Sequence, residues 1–135
     1  MSIFFSIIIG VSIAVIAQFV MRFILEPWIE RAKTIEVIDA QLIFYRNVYT
    51  NNGTEISEEA SDEYRRLSCE LKAKTRSIVL DGWLKHLPNF ISREDAYEAS
   101  KKLIFLSNSC NRRGAIDKNE EAVEKIRKLL RITEQ

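Results

Sequence analysis

The chain has 135 residues, 47% of them hydrophobic and 29% charged, with 20 Lys and Arg against 19 Asp and Glu for a formal net charge of +1. That length fits one domain beside a short appended segment, and the near-neutral balance argues against nucleic acid as the main partner. Only four glycines, two prolines and two cysteines punctuate it, with no repeat, linker or low-complexity tract.

From Ile3 to Met21 no residue is charged. As a helix this run rises roughly 28 Å, close to the thickness of a hydrocarbon core, so it is expected to cross a membrane. A cleaved signal peptide would need a basic stretch before a shorter core and a small-x-small site after it. Here no Lys or Arg precedes the core, and Ala14 and Ala17 have the wrong spacing. The expectation is therefore a retained anchor. Its flanking cations, Arg22, Arg31 and Lys33, all follow the span, which places the N-terminus outside the plasma (inner) membrane and the rest in the cytoplasm. Cys69 and Cys110 then face a reducing compartment, where a structural disulfide is not expected. Asn52-Gly53-Thr54 spells a glycosylation acceptor, but reads as a polar turn on that side of the membrane.

Turned at about 100° per residue, the anchor has two unlike sides. Ser6, Gly10, Ala14, Ala17 and Gln18 fall on one, the candidate surface for packing against another span, because small residues let backbones approach and Gln18 can hydrogen-bond across the contact. Phe4, Phe5, Ile8, Ile9, Val15, Ile16 and Phe19 fall on the other, suited to lipid. A monomeric anchor is the alternative. Residues 1–26 form the anchor and juxtamembrane segment, and residues 27–135 a cytoplasmic helical bundle.

Pro27 marks a fresh helix start or a kink. Trp28, Ala32, Ile35, Ile38, Leu42, Tyr45 and Tyr49 recur at helical spacing to about Thr50, and a second line through Val37, Phe44 and Val48 predicts burial on a wide face. A turn over Thr50 to Thr54 follows. Ser57 is a candidate cap, with Glu58, Glu59, Asp62 and Glu63 favourable at a helix N-terminus rather than metal ligands. Ala60, Tyr64, Leu67, Leu71 and Ile78 stripe this second helix, predicted to end near Leu80. Ser92 with Asp95 resembles a capping box, opening a third helix striped by Ala96, Ala99, Leu103, Leu106 and Cys110. Asn111 to Gly114 break it. Asp117 with Glu120 reads as a second box, and Val123, Ile126 and Leu130 give the last helix its face. The fold class is all-α: an N-terminal transmembrane helix followed by a bundle of about four helices with short, up-and-down connections.

The connector before the third helix carries Trp83, Leu84, Leu87, Phe90 and Ile91 among Lys85, His86 and Pro88. It either lies at the headgroups or closes the end of the bundle as a hydrophobic loop. Arg22, Trp28, Trp83 and Lys85 are the candidate membrane-interface residues.

Catalytic, metal and cofactor chemistry is not expected. His86 is the single histidine, Cys110 continues an apolar stripe, and phosphate-binding glycine loops are missing. The Lys- and Arg-rich final helix reads as a solvated face. The chain is therefore not expected to be an enzyme.

Three stretches, Phe23-Ile24-Leu25-Glu26-Pro27, Leu42 to Tyr49 (LIFYRNVY) and Leu103 to Ser109 (LIFLSNS), resemble a set of small uncharacterised bacterial single-pass membrane proteins. In architecture the chain is also similar to the membrane-anchored HEPN-like accessory proteins of type VI CRISPR systems. That resemblance implies a ring-shaped oligomer that forms a pore and damages the membrane during phage defence. HEPN nucleases carry an Arg with four to six residues between it and a His; His86 has Val79, Leu80 and Asp81 at the matching positions, so no ribonuclease role transfers. Two functions are expected in turn: a self-assembling, membrane-perturbing effector, or a non-catalytic accessory subunit of a larger membrane complex. The expected partners are membrane lipid and either further copies of the chain or another membrane protein.

Overall fold

The apolar N-terminal segment and the first amphipathic segment join into one continuous helix, Ser2–Phe44, of 43 residues. The computed structural model describes residues 2–50, 57–110 and 115–133, which are all-helical with no strand among them. The expected turn at residues 51–54 and the break at 111–114 lie outside the described residues.

The long helix has three parts: α1 (Ser2–Val20), a wide π-helical turn (Met21–Leu25) and α2 (Glu26–Phe44). In the wide turn the Glu26 N–H reaches back five residues to the Met21 carbonyl. Pro27 accounts for its position, because proline has no N–H for the Phe23 carbonyl and its ring crowds that oxygen. Opening the turn relieves the crowding without ending the helix, and it shifts α2's faces by about a quarter turn relative to α1.

The helix breaks at Tyr45, ahead of the expected end, and a short α3 (Arg46–Thr50) follows. The break lets Val48 and Tyr49 turn inward together. A second departure concerns width. Val37 is 40% and Phe44 73% exposed, so α2 does not bury a wide apolar face. Its buried residues are Arg31, Thr34, Ile38 and Leu42, a narrow stripe in which two of four side chains are polar.

Helix α4 (Ser57–Arg76) ends before the predicted Leu80, and Ser57 is already helical in it. Ile78 is buried past its end, its N–H on the Thr75 carbonyl at 3.3 Å. One short turn, α5 (Asp81–Leu84), occupies the connector, and Asn89 takes a left-handed φ of 64° that redirects the chain after Pro88. Helix α6 (Arg93–Ser109) starts as the sequence indicates: Ser92 Oγ accepts the Asp95 N–H at 3.1 Å. Helix α7 (Ile116–Leu129) does not. It begins after Ala115 without a side-chain cap, which puts Asp117 inside the first turn, past the capping position.

Helices α2, α4, α6 and α7 share one core, in which Ile38, Leu42, Tyr64, Leu67, Leu71, Leu103, Leu106 and Ile126 are fully buried. Each large aliphatic side chain there contributes roughly 1.5–3 kcal/mol by leaving water. Helices α4 and α6 run antiparallel and pair through small residues. Ser61 Oγ donates to the Ser107 carbonyl at 2.7 Å, and Ser68 Oγ to the Ser100 carbonyl at 2.8 Å. These seven-residue steps on both helices, with Ala60, Ala96 and Ala99 buried beside them, keep one contact line in register.

Candidate functional site

No residue of α1 is buried. Composition explains the helix: it has no proline or charge, and its two inner serines return their hydroxyls to the backbone. Ser6 Oγ donates to the Ser2 carbonyl at 3.0 Å and Ser12 Oγ to the Ile8 carbonyl at 2.8 Å, which spares an apolar surrounding any bare O–H. Ser6, Gly10, Ala14, Ala17 and Gln18 are all exposed, and a Cβ added at Gly10 would meet nothing within 4 Å. Phe19 and Phe23 stack across the start of the wide turn, ring centroids 4.4 Å apart. By length and composition this is a helix able to cross a membrane.

The end of the helical body beside α1 is built by α2, the C-terminal part of α4 and the connector. Trp28, 37% exposed, meets Phe90 edge-on at 6.2 Å. Phe90 is buried and lies under the Arg31 guanidinium, 4.8 Å from its ring centroid. A cation over an aromatic face is favourable, the more so when shielded from water. Arg31 is only 1% exposed, and its Nη1 has no hydrogen-bond partner. Burial lowers its pKa, and the charge of Asp81 opposes that shift. Asp81, also buried, accepts the Arg93 N–H at 3.4 Å, and Arg93 Nη2 donates to the Ile78 carbonyl at 2.9 Å. Glu30 bridges to Lys74 at 2.9 Å, and this cation together with Lys33 holds its carboxylate below the usual range. The connector is thereby fastened to the first turns of α2.

The candidate interface residues divide across this region. Trp28 touches the connector from α2, whereas Trp83, 84% exposed, and Lys85 point away from the body. Arg22 is exposed in the wide turn. In the sequence Arg31 reads only as a flanking cation, whereas the fold buries it. Its spacing to Thr34, Ile38 and Leu42 was the available signal.

At the opposite end, an open cleft of about 670 Å³ lies between α2, α3 and α7. Arg127 faces Asp39 across it at 3.7 Å. Asn119, fully buried, accepts from Ser109 Oγ at 2.5 Å and donates to the Tyr49 carbonyl at 3.3 Å, joining α6, α7 and α3. Cys110 is buried and its thiol is pushed up to about 11 by desolvation, while Cys69 is exposed. The acidic residues at the start of α4 do not gather: Glu63 pairs with Arg66 at 2.6 Å, and among the described residues no three His, Cys, Asp or Glu side chains converge on a metal position.

Comparison with known protein families, characterised proteins and solved structures finds no match for this chain.

Proposed function

We propose that this chain is a single-pass membrane protein whose apolar helix packs against copies of itself, and that the assembly acts by perturbing the membrane, as a pore-forming effector of bacterial anti-phage defence. On this reading α1 crosses the plasma membrane with its N-terminus outside, and residues 27–135 form an up-and-down bundle in the cytoplasm.

The observation that carries the reading is the unbroken helix Ser2–Phe44, unburied over its apolar half and built into the core over the other. Such a rod couples any rotation or tilt of a span to the body below it. The wide turn adds a second support. Counting 100° per residue and about one residue's lag at that turn, Gly10, Ala14 and Ala17 point roughly opposite to Ile38 and Leu42. The small-residue stripe then faces away from the helices packed on α2, leaving it open to a second span. Gln18, at the stripe's edge, would tie helices together or line a wet path.

Mass in mild detergent tests the assembly. The native chain is expected to be an oligomer, Gly10→Leu or Ala14→Phe to shift it towards monomer, and Ile8→Phe to leave it intact. Dye entry or loss of membrane potential on induction tests the effect: both should need residues 1–21 and weaken with Gln18→Leu. A monomer, or full membrane integrity in cells supplied with the neighbouring genes, overturns the effector reading.

A second reading, an accessory subunit of a larger membrane complex, is favoured by exposed Val37, Ile43 and Phe44 at the far end of α2. Stoichiometric co-purification of another membrane protein, lost on Phe44→Glu, would select it.

A further inference from the structure

The connector between α4 and α6 is two-sided. Its inner side is fastened by Ile78, Asp81 and Phe90, all buried against α2 and the start of α6. Its outer side presents Val79 at 70%, Trp83 at 84% and Leu87 at 45% exposure, with Arg76 and Lys85 exposed beside them. A tryptophan left this open forfeits most of its apolar burial, as does Val79, and Leu87 forfeits nearly half, all within one short segment.

Position decides what covers them. The connector is held to Trp28 through Phe90, and Trp28 stands one turn, roughly 4.5 Å, beyond Leu25 along the continuous helix. If the hydrocarbon crossing runs on through the apolar track Phe23, Ile24 and Leu25, with the Arg22 guanidinium snorkelling to the headgroups from the last turn, Trp28 lies in the headgroup layer, which adds about 5–7 Å on each side of the core. Phe90 then brings the connector to the same depth. Tryptophan and lysine together suit that layer, the ring among upper acyl carbons and the cation among phosphates.

We infer that the outer side of the connector is a second membrane-contact surface, in which Val79, Trp83 and Leu87 enter the interface of the same bilayer that takes α1 while Arg76 and Lys85 meet anionic headgroups. The inference rests on the reading of α1 as a span. Two contacts from one body, a rod and a connector, would fix its rotation about the membrane normal, which a single span leaves free.

The test uses the full chain in vesicles of zwitterionic and anionic phospholipid, with or without lipids brominated on their upper acyl carbons. Two single-tryptophan forms report separately: Trp28→Phe leaves Trp83, and Trp83→Phe leaves Trp28. Brominated lipid is expected to quench Trp83 at least twofold, with iodide access several-fold lower than in detergent. In the Trp28→Phe background, Arg76→Glu with Lys85→Glu should roughly halve that quenching. Quenching of Trp28 without quenching of Trp83 overturns the inference and leaves the span reading standing. Protection of Trp83 from both lipid bromine and iodide also overturns it, since a protein then covers the surface. If neither tryptophan is quenched and alkaline carbonate strips the chain from the vesicles, the span reading falls and this inference with it. The native chain, carrying both reporters, guards against a packing defect from Trp28→Phe.

Discussion

At the scale of single residues the two cysteines show how place sets chemistry. Cys110 continues the α6 stripe into the core, and desolvation holds its thiol protonated up to about pH 11. Cys69 lies on the exposed side of α4. In the folded chain at pH 8, a maleimide is expected to modify Cys69 within minutes and Cys110 only after denaturation, as read by mass spectrometry of the peptides. The same thiol reports the proposed orientation: a reagent unable to cross membranes should spare Cys69 in intact cells and label it after lysis. Arg31 shows the converse. A cation whose surroundings are Phe90 and the charge of Asp81 is costly to bury, and removing one partner leaves the other uncompensated.

At the scale of elements, the two capping boxes separate. Ser92 accepts the Asp95 N–H, whereas Asp117 sits two positions past the cap of α7, Ala115, and cannot cap it. Ser92→Ala is therefore expected to cost about 1 kcal/mol, and Asp117→Ala a few tenths at most, through lost charge near the helix start. Thermal unfolding of both variants in the same detergent checks the contrast. The sequence pattern is the same polar-x-x-acid step in each case. What differs is where the preceding chain lets the helix begin: Ala115 at the head of α7 leaves the carboxylate inside the helix. The π turn before Pro27 is likewise set by one residue's covalent geometry, though its effect, the relative phase of α1 and α2, is felt along the whole rod.

At the scale of the whole molecule, the core and the exposed apolar residues of α2 make opposite demands. Leu71→Ala should cost about 2–5 kcal/mol, because Leu71 is fully buried among side chains that cannot collapse into the void. Phe44→Ala should stay within about 0.5 kcal/mol, its ring being 73% exposed. Urea unfolding of the full chain, followed by near-ultraviolet circular dichroism, compares them. A large loss from Phe44→Ala would mean that another chain covers it.

The all-helical class, the apolar helix at the N-terminus and the inward stripes of α4, α6 and α7 are legible in one dimension, because a helix writes its own buried face as a 3.6-residue recurrence of apolar side chains. Those stripes from Ala60 to Leu71, Ala96 to Cys110 and Val123 to Leu130 are buried as read. Periodicity within one segment says nothing of its neighbours, and that is where the tertiary structure decided. It exposed Val37 and Phe44, which the same recurrence counted as core, because α4 packs along only a narrow strip of α2. It buried Arg31, because Phe90 arrives from a segment far along the chain to roof it. It matched Ser61 with Ser107 and Ser68 with Ser100, polar residues that look like surface in one dimension and become contacts only when two helices lie antiparallel at close range. And it fastened the connector to the first turns of α2, since Trp28 and Arg31 meet Phe90 only through the packing of two stretches far apart in the chain.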